Sequence, residues 1–232
     1  MNEFDFVTGL AAALRDRAAA WAFVRAVAAF WNVPLVDGDG VGEAELTAAE
    51  RRLGLPLPAA LREAYALLGR RSDLTSNQDT LLPPDELTVF DGVLVFRREN
   101  QGVAHWGIPV PHPDQEDPPV VVRLDLADKA QERWEPWLGS VSAAFTGIVL
   151  AEPLLAADES CDFCYRQDDH ARAVPAADFT GLEFPGGPGS RWFAAPDVLV
   201  ADLDGTGLAA RARTPEALDA LREHLGGDWL AG

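Results

Sequence analysis

The hydrophobic pattern changes from helical to strand period near residue 87, and that change limits the fold more than any other feature. Up to Gly69 the apolar residues recur at helical spacing. From Leu87 onward, β-branched and aromatic runs follow one another: Leu87-Thr88-Val89-Phe90, Val93-Leu94-Val95-Phe96, Val103 to Ile108 and Val120 to Leu124. Asp91-Gly92, Asn100-Gln101-Gly102 and a Pro/Asp-rich loop separate them. Strands in a run, rather than alternating with helices, predict an α+β fold. The expected form is an antiparallel or mixed central sheet with helices packed on one side.

The flanking signals divide the chain further. Leu10, Leu14, Trp21, Val24, Ala28 and Trp31 predict one long amphipathic helix that Pro34 stops. Thr47-Ala48-Ala49-Glu50 reads as a capping box that starts a short helix ending at Gly54. Pro58 is expected in the first turn of a second helix, Ala59 to Leu68, closed by Gly69. Another helix fits Ser140 to Glu152. Near the C-terminus, strands from Asp197 to Asp202 and Leu208 to Arg213 precede a helix with Thr214 as N-cap and Pro215 at its first position. The expected organisation is a single domain over 1–232. It has a core at 46–152, an N-terminal helical extension at 1–34, a loop-rich insertion at 153–189 and a C-terminal hairpin plus helix at 190–232.

Charge restricts the partners. Acidic residues number 37 against 19 basic, a formal charge of −18. A chain with that surplus is a poor fit to nucleic acid or to an anionic membrane, and suits a cationic protein. Hydrophobic residues make up 48%, which excludes wholesale disorder. The longest apolar-looking stretch, Leu10 to Trp31, carries Arg15, Asp16, Arg17 and Arg25 and is too charged to span a bilayer. No positive region precedes an apolar one at the N-terminus, so the expectation is a cytoplasmic protein with reduced thiols.

Catalytic templates match poorly. Val198 to Thr206 ends in Asp202-Leu203-Asp204-Gly205-Thr206, which resembles the first motif of haloacid-dehalogenase-type phosphatases. The resemblance implies Asp202 as nucleophile, Asp204 as general acid and Mg²⁺ between them. The later motifs of that family have no room in the residues after Thr206, and the only lysine, Lys129, lies upstream. A hairpin turn at Asp204-Gly205-Thr206-Gly207 explains the same string, and the phosphatase stays as a remote alternative. Cys161-x-x-Cys164 fits a redox dithiol, or half of a zinc site completed by His170 and by Asp168 or Asp169. The adopted reading is a reduced, metal-free pair. The Asp/Gly loop from Asp37 to Glu43 lacks the ligand spacing of a calcium loop. His105, His112, His170 and His224 are scattered. The expectation is therefore no catalytic set, no cofactor and no metal.

One ordered series of motifs points to a family. Leu46-Thr47-Ala48-Ala49-Glu50-Arg51-Arg52-Leu53-Gly54-Leu55-Pro56-Leu57-Pro58, followed by Leu61 and Leu68-Gly69, resembles the opening of the SMI1/KNR4 or SUKH superfamily. The string from Leu94 to Ile108, with its Glu99-Asn100-Gln101-Gly102 turn and the Trp106 strand, is similar to that family's central strands. Trp134 to Glu152 is similar to the helix that follows. The long N-terminal helix and the segment 153–189 depart from the pattern. The resemblance implies an α+β domain that binds proteins and does no chemistry. Bacterial members look like immunity proteins that neutralise cognate toxins, often nucleases, and eukaryotic relatives are regulatory scaffolds. It assigns framework roles to Glu50, Leu53, Gly54, Leu57, Pro58, Gly69, Phe96, Asn100, Gly102 and Trp106. Leu53, Leu57, Leu61, Phe96 and Trp106 are expected in the core, and Gly54, Gly69 and Gly102 in permissive turns. Asn100 is expected to tie its turn through its side chain.

A partner surface on such a protein is expected from exposed acids. Asp73 to Asp117 holds nine acids against two bases, and Ala151 to His170 six against one. The candidates are Asp114, Glu116 and Asp117 in the first region and Asp158, Glu159, Asp162, Asp168 and Asp169 in the second. The sequence leaves the oligomeric state open.

Overall fold

The computed structural model describes residues 4–110, 115–165, 174–175, 177–184, 190–204 and 206–230. Among these the fold is α+β, with two antiparallel sheets in place of the one expected. Helices α1 (Phe6–Ala13), α2 (Arg17–Phe30), α3 (Glu43–Leu53), α4 (Ala59–Leu68) and the short α5 (Ser72–Thr75) come first. The first sheet follows: β1 (Thr80–Leu81), β2 (Thr88–Phe90), β3 (Val93–Arg98), β4 (Ala104–Pro109), β5 (Val120–Leu124) and β6 (Glu135–Leu138). Its order is β1-β3-β4-β5-β6, and β2 also pairs with β3. Helix α6 (Val141–Ala151) leads to the second sheet: β7 (Cys161–Tyr165), β8 (Thr180–Leu182), β9 (Ser190–Ala195), β10 (Val198–Leu203) and β11 (Gly207–Ala212), in the order β7-β11-β10-β9-β8. Helix α7 (Pro215–Leu225) ends the series.

The expected long N-terminal helix is two helices. The Asp16 carboxylate accepts a hydrogen bond from the Ala19 backbone N–H at 2.8 Å and so starts a new helix where the apolar stripe alone reads through. Neither helix is peripheral: Leu10, Val24, Val27 and Ala28 are buried in the main core. Helix α3 begins at Glu43, four residues before the expected capping box. Gly42 is its N-cap, and the Glu45 side chain accepts from the Gly42 N–H. Gly54 ends α3 in the left-handed conformation (φ 70°), as its position suggests.

Helix α6 is apolar on every side, and all residues from Val141 to Leu150 are buried. Phe145 stacks on Phe96 of β3 with ring centroids 5.8 Å apart, and Gly147 leaves room for Phe184 beyond β8. One apolar cluster therefore runs from Leu94 and Phe96 of the first sheet, through α6, to Trp192, Leu199 and Ala201 of the second.

Strand alternation lets the second sheet serve two cores. Trp192, Ala194, Leu199, Ala201 and Ala209 face the main cluster. Val198, Val200, Leu208 and Ala210 face Leu218, Leu221 and Leu225 of α7 on the other side. The segment 153–189, expected as a loop-rich insertion, contributes β7 and β8 to this sheet. The expected C-terminal hairpin exists as β10 and β11, with β9 added as a third strand.

Candidate functional site

The predicted contact acids have different surroundings. Asp114, Asp168 and Asp169 lie outside the described residues. Glu116 is exposed and pairs with Arg17 at 3.0 Å. Asp117 caps α6: its carboxylate accepts from the Ser142 backbone N–H at 3.0 Å and from the Ser142 hydroxyl at 2.6 Å. Asp158 folds its own loop, accepting from the Ser160 N–H at 2.9 Å, and stands 3.6 Å from Arg211. Glu159 is exposed, with no ion pair to another described residue. Asp162 corrects the expectation of a contact acid. It sits on the α7 side of β7 with a side chain 1% exposed, paired with the Arg222 guanidinium at 2.7 Å. A carboxylate in that position holds α7 onto the sheet and offers no face to a partner.

The framework residues do physical work, in part by routes the sequence did not suggest. Glu50 lies in the middle of α3 and clamps the turn to α4: its carboxylate accepts from the Leu57 N–H at 2.9 Å and pairs with Arg62 at 2.7 Å. Leu57 is buried, Pro58 is the N-cap of α4, and Leu53 is half-buried against the core. Gly69 is required for close approach, not for conformation. Its φ is −63°, and a Cβ there would stand 2.7 Å from the Tyr65 carbonyl oxygen. Gly102 does take a positive φ, 76°. The turn before it is tied by Glu99, whose carboxylate accepts from the Gln101 and Val103 N–H groups, and Asn100 is exposed. Phe96 is fully buried, while Trp106 is half-buried beneath the Arg97 guanidinium, 4.8 Å from its ring centroid.

Cys161 and Cys164 are three residues apart on a strand, so their thiols emerge on opposite faces. The Cys161 thiol donates to the Pro153 carbonyl at 3.0 Å, and burial pushes its pKa up to about 11. Cys164 joins the core beneath α7. That geometry separates the two sulfurs that a shared metal would require together. Among the described residues no group of three or more His, Cys, Asp or Glu side chains is placed to hold a metal ion. Asp202 of the Asp-x-Asp string is fully buried and pairs with Arg191 across β9 and β10, and Asp204 takes a left-handed φ of 52° between β10 and β11. Among the described residues no helix is long and apolar enough to cross a membrane.

Two features escape sequence reading. The first is an internal carboxylate site. The Glu152 side chain, 1% exposed, accepts from the backbone N–H groups of Asn77 and Gln78 at 2.7 Å each and from that of Asp79 at 3.3 Å. Arg97 pairs with Glu152, and with Asp79 at 3.0 Å. The second is a cleft of about 1250 Å³ between α1, α2 and the β9–β10 turn, with Phe4, Phe30, Ala29, Asp197 and Arg213 among its walls. Its residues come from separate stretches of the chain, at 4–7, 26–30, 180, 194–197 and 213, and no local pattern marks them.

Comparison of the chain with known protein families, with curated proteins and with solved structures finds no match.

Proposed function

We propose that this protein is a non-enzymatic, protein-binding domain that acts as an immunity protein: it neutralises a cationic toxin, of which a nuclease is the leading type. The observation that carries the sign of the partner is the state of the charges. Arg17, Arg62, Arg71, Arg97, Arg123 and Arg222 are each engaged by carboxylates of the same chain. Meanwhile Asp85, Glu86, Glu159, Glu183, Glu216 and Glu223 stand exposed with no ion pair to another described residue. Exposed Arg15, Arg25, Arg51 and Arg98 have no described partner either, and the exposed acids without one outnumber them, so among the described residues an excess of negative charge faces solvent. Such a surface speeds the approach of a basic protein and competes with phosphate for it.

The class of function comes from the ordered SMI1/KNR4-like series between Leu46 and Glu152; the scaffold role of that family's eukaryotic members is the alternative. Capture experiments from the source cell test the reading. A basic protein is expected to be retained at low salt and to lose on-rate steeply as salt rises past roughly 0.15 M, where the screening length is about 8 Å. Recovery of no basic protein at either salt level would overturn it.

A further inference from the structure

The cleft beside α1 and α2 has an identifiable cause. Phe4, Phe6 and Phe30 build one wall as a cluster of edge and tilted ring contacts, with centroids 4.7 to 5.9 Å apart. The space facing it stays open because the lining positions on α2 and β9 are alanines: Ala26, Ala29, Ala194 and Ala195. Larger apolar residues at those places would have closed the gap between the helices and the second sheet.

The polar groups of the cleft are few and unequal in sign. Among the described residues Arg213 is its one guanidinium, and that group is already occupied. It pairs with Asp197 at 3.0 Å and lies over the Phe30 ring, 5.0 Å from its centroid. Asp5 is the second carboxylate. The Thr8 hydroxyl and backbone N–H groups donate to it and hold its pKa below the usual carboxylate range, so it is ionised at neutral pH. Two carboxylates against one satisfied cation leave the opening negative, within a molecule that is itself strongly negative.

We propose that this cleft receives a bulky apolar side chain flanked by lysine or arginine, presented by the protein partner. This rests on the protein-binding reading above and names where that partner enters. Burial against phenylalanine and alanine supplies the affinity, and the neighbouring cation meets the Asp5 and Asp197 carboxylates and the aromatic wall. Interface anchors are commonly of this kind, an aromatic or arginine seated in a desolvated pocket. An amphiphile with an anionic head has the same apolar body, but it would bring a third negative charge to the opening.

The test uses three short peptides and the isotopically labelled full chain: acetyl-Arg-Trp-Arg-amide, acetyl-Glu-Trp-Glu-amide and acetyl-Arg-Ala-Arg-amide. The first is expected to shift the amide resonances of Ala26, Ala29, Thr180 and Ala194 saturably at millimolar concentration. The other two are expected to bind at least about tenfold more weakly, the acidic one through charge and the alanine one through lost burial. Ala29→Trp, at an exposed helix position, fills the cleft from the outside without removing a core group and should abolish the shifts. Asp197→Asn keeps a residue that tolerates the positive φ there, and should weaken the basic peptide several-fold while narrowing its advantage over the acidic one. Absence of shifts at these amides, equal binding of the acidic and basic peptides, or unchanged binding by Ala29→Trp would each overturn the proposal. Capture separates the two readings. A basic partner held equally by wild type and Ala29→Trp removes the cleft and leaves the partner. Peptide binding in the cleft without any captured basic protein supports the cleft and removes the partner reading.

Discussion

Asp79 shows how burial can reverse the usual effect of an acid on stability. Its side chain is 14% exposed, and loss of solvation raises its pKa, with the Arg97 charge opposing. The folded state therefore holds this proton more tightly than the unfolded chain does. That contribution is complete below the unfolded pKa and is lost as pH rises through the raised folded value. At neutral pH the buried charge is a cost, and Arg97 keeps Glu152 as a partner without it. Asp79→Asn is expected to leave the urea midpoint unchanged or higher at neutral pH, with the difference from wild type shrinking towards about pH 4. A clear loss of midpoint at neutral pH would contradict this account. Cys161 gives a chemical counterpart. Only the thiolate is nucleophilic, and a pKa of about 11 in a buried site keeps the thiol protonated. Iodoacetamide at mildly alkaline pH should label neither Cys161 nor the equally buried Cys164 until denaturant is added. Rapid labelling of Cys161 in the native protein would refute the burial argument.

Elements were legible where a local signal decides them, and illegible where a distant partner does. Strand β5 matches the expected run from Val120 to Leu124, and Thr214 with Pro215 starts α7 where expected, because pattern and capping are properties of neighbouring residues. Strand β7 was hidden by Asp162. An acid in a short apolar run reads as a turn, and only the folded chain brings Arg222 to it from 60 residues away. The same cause hid Glu152, counted by sequence with a surface acidic segment. The candidate site was legible as a net charge and not as a place: which acids are held in ion pairs, and where alanines leave a cleft, depend on contacts between residues far apart in the chain. Two substitutions probe the elements. Asp16→Ala removes the cap that divides α1 from α2 and should cost about 1 kcal/mol in denaturant unfolding. Asp162→Ala takes the buried partner from Arg222 and leaves it only the exposed Asp219 carboxylate, 2.7 Å away, and should cost about 2 kcal/mol, the scale of a lost charged hydrogen bond. A cost below about 0.5 kcal/mol for Asp162→Ala, the range of ordinary surface substitutions, would mean that the pair is solvated in solution.

The two sheets could belong to two units that unfold separately, and the core says otherwise. Helix α6 has no solvent-facing side. Phe145 needs Phe96 from the first sheet, and Gly147 is shaped by Phe184 beside the second. Leu182, Trp192, Leu199 and Ala209 belong to the same apolar cluster as Leu61 and Phe96. Loss of the second sheet would expose one flank of this cluster, and burying apolar surface contributes about 25 cal/mol per Å². Marginal stability leaves no reserve to absorb that exposure. The expected outcome is one cooperative urea transition, with near-ultraviolet circular dichroism, far-ultraviolet circular dichroism and tryptophan fluorescence superimposing. The slope of free energy against urea should be that of a single unit of 232 residues, since it scales with the surface exposed on unfolding. A chain cut after Ala156 should retain helical signal but lose the sharp transition, because α6 then has a bare face. Two separated transitions, or a cooperative transition in the shortened chain, would show that the first sheet and its helices fold without the second.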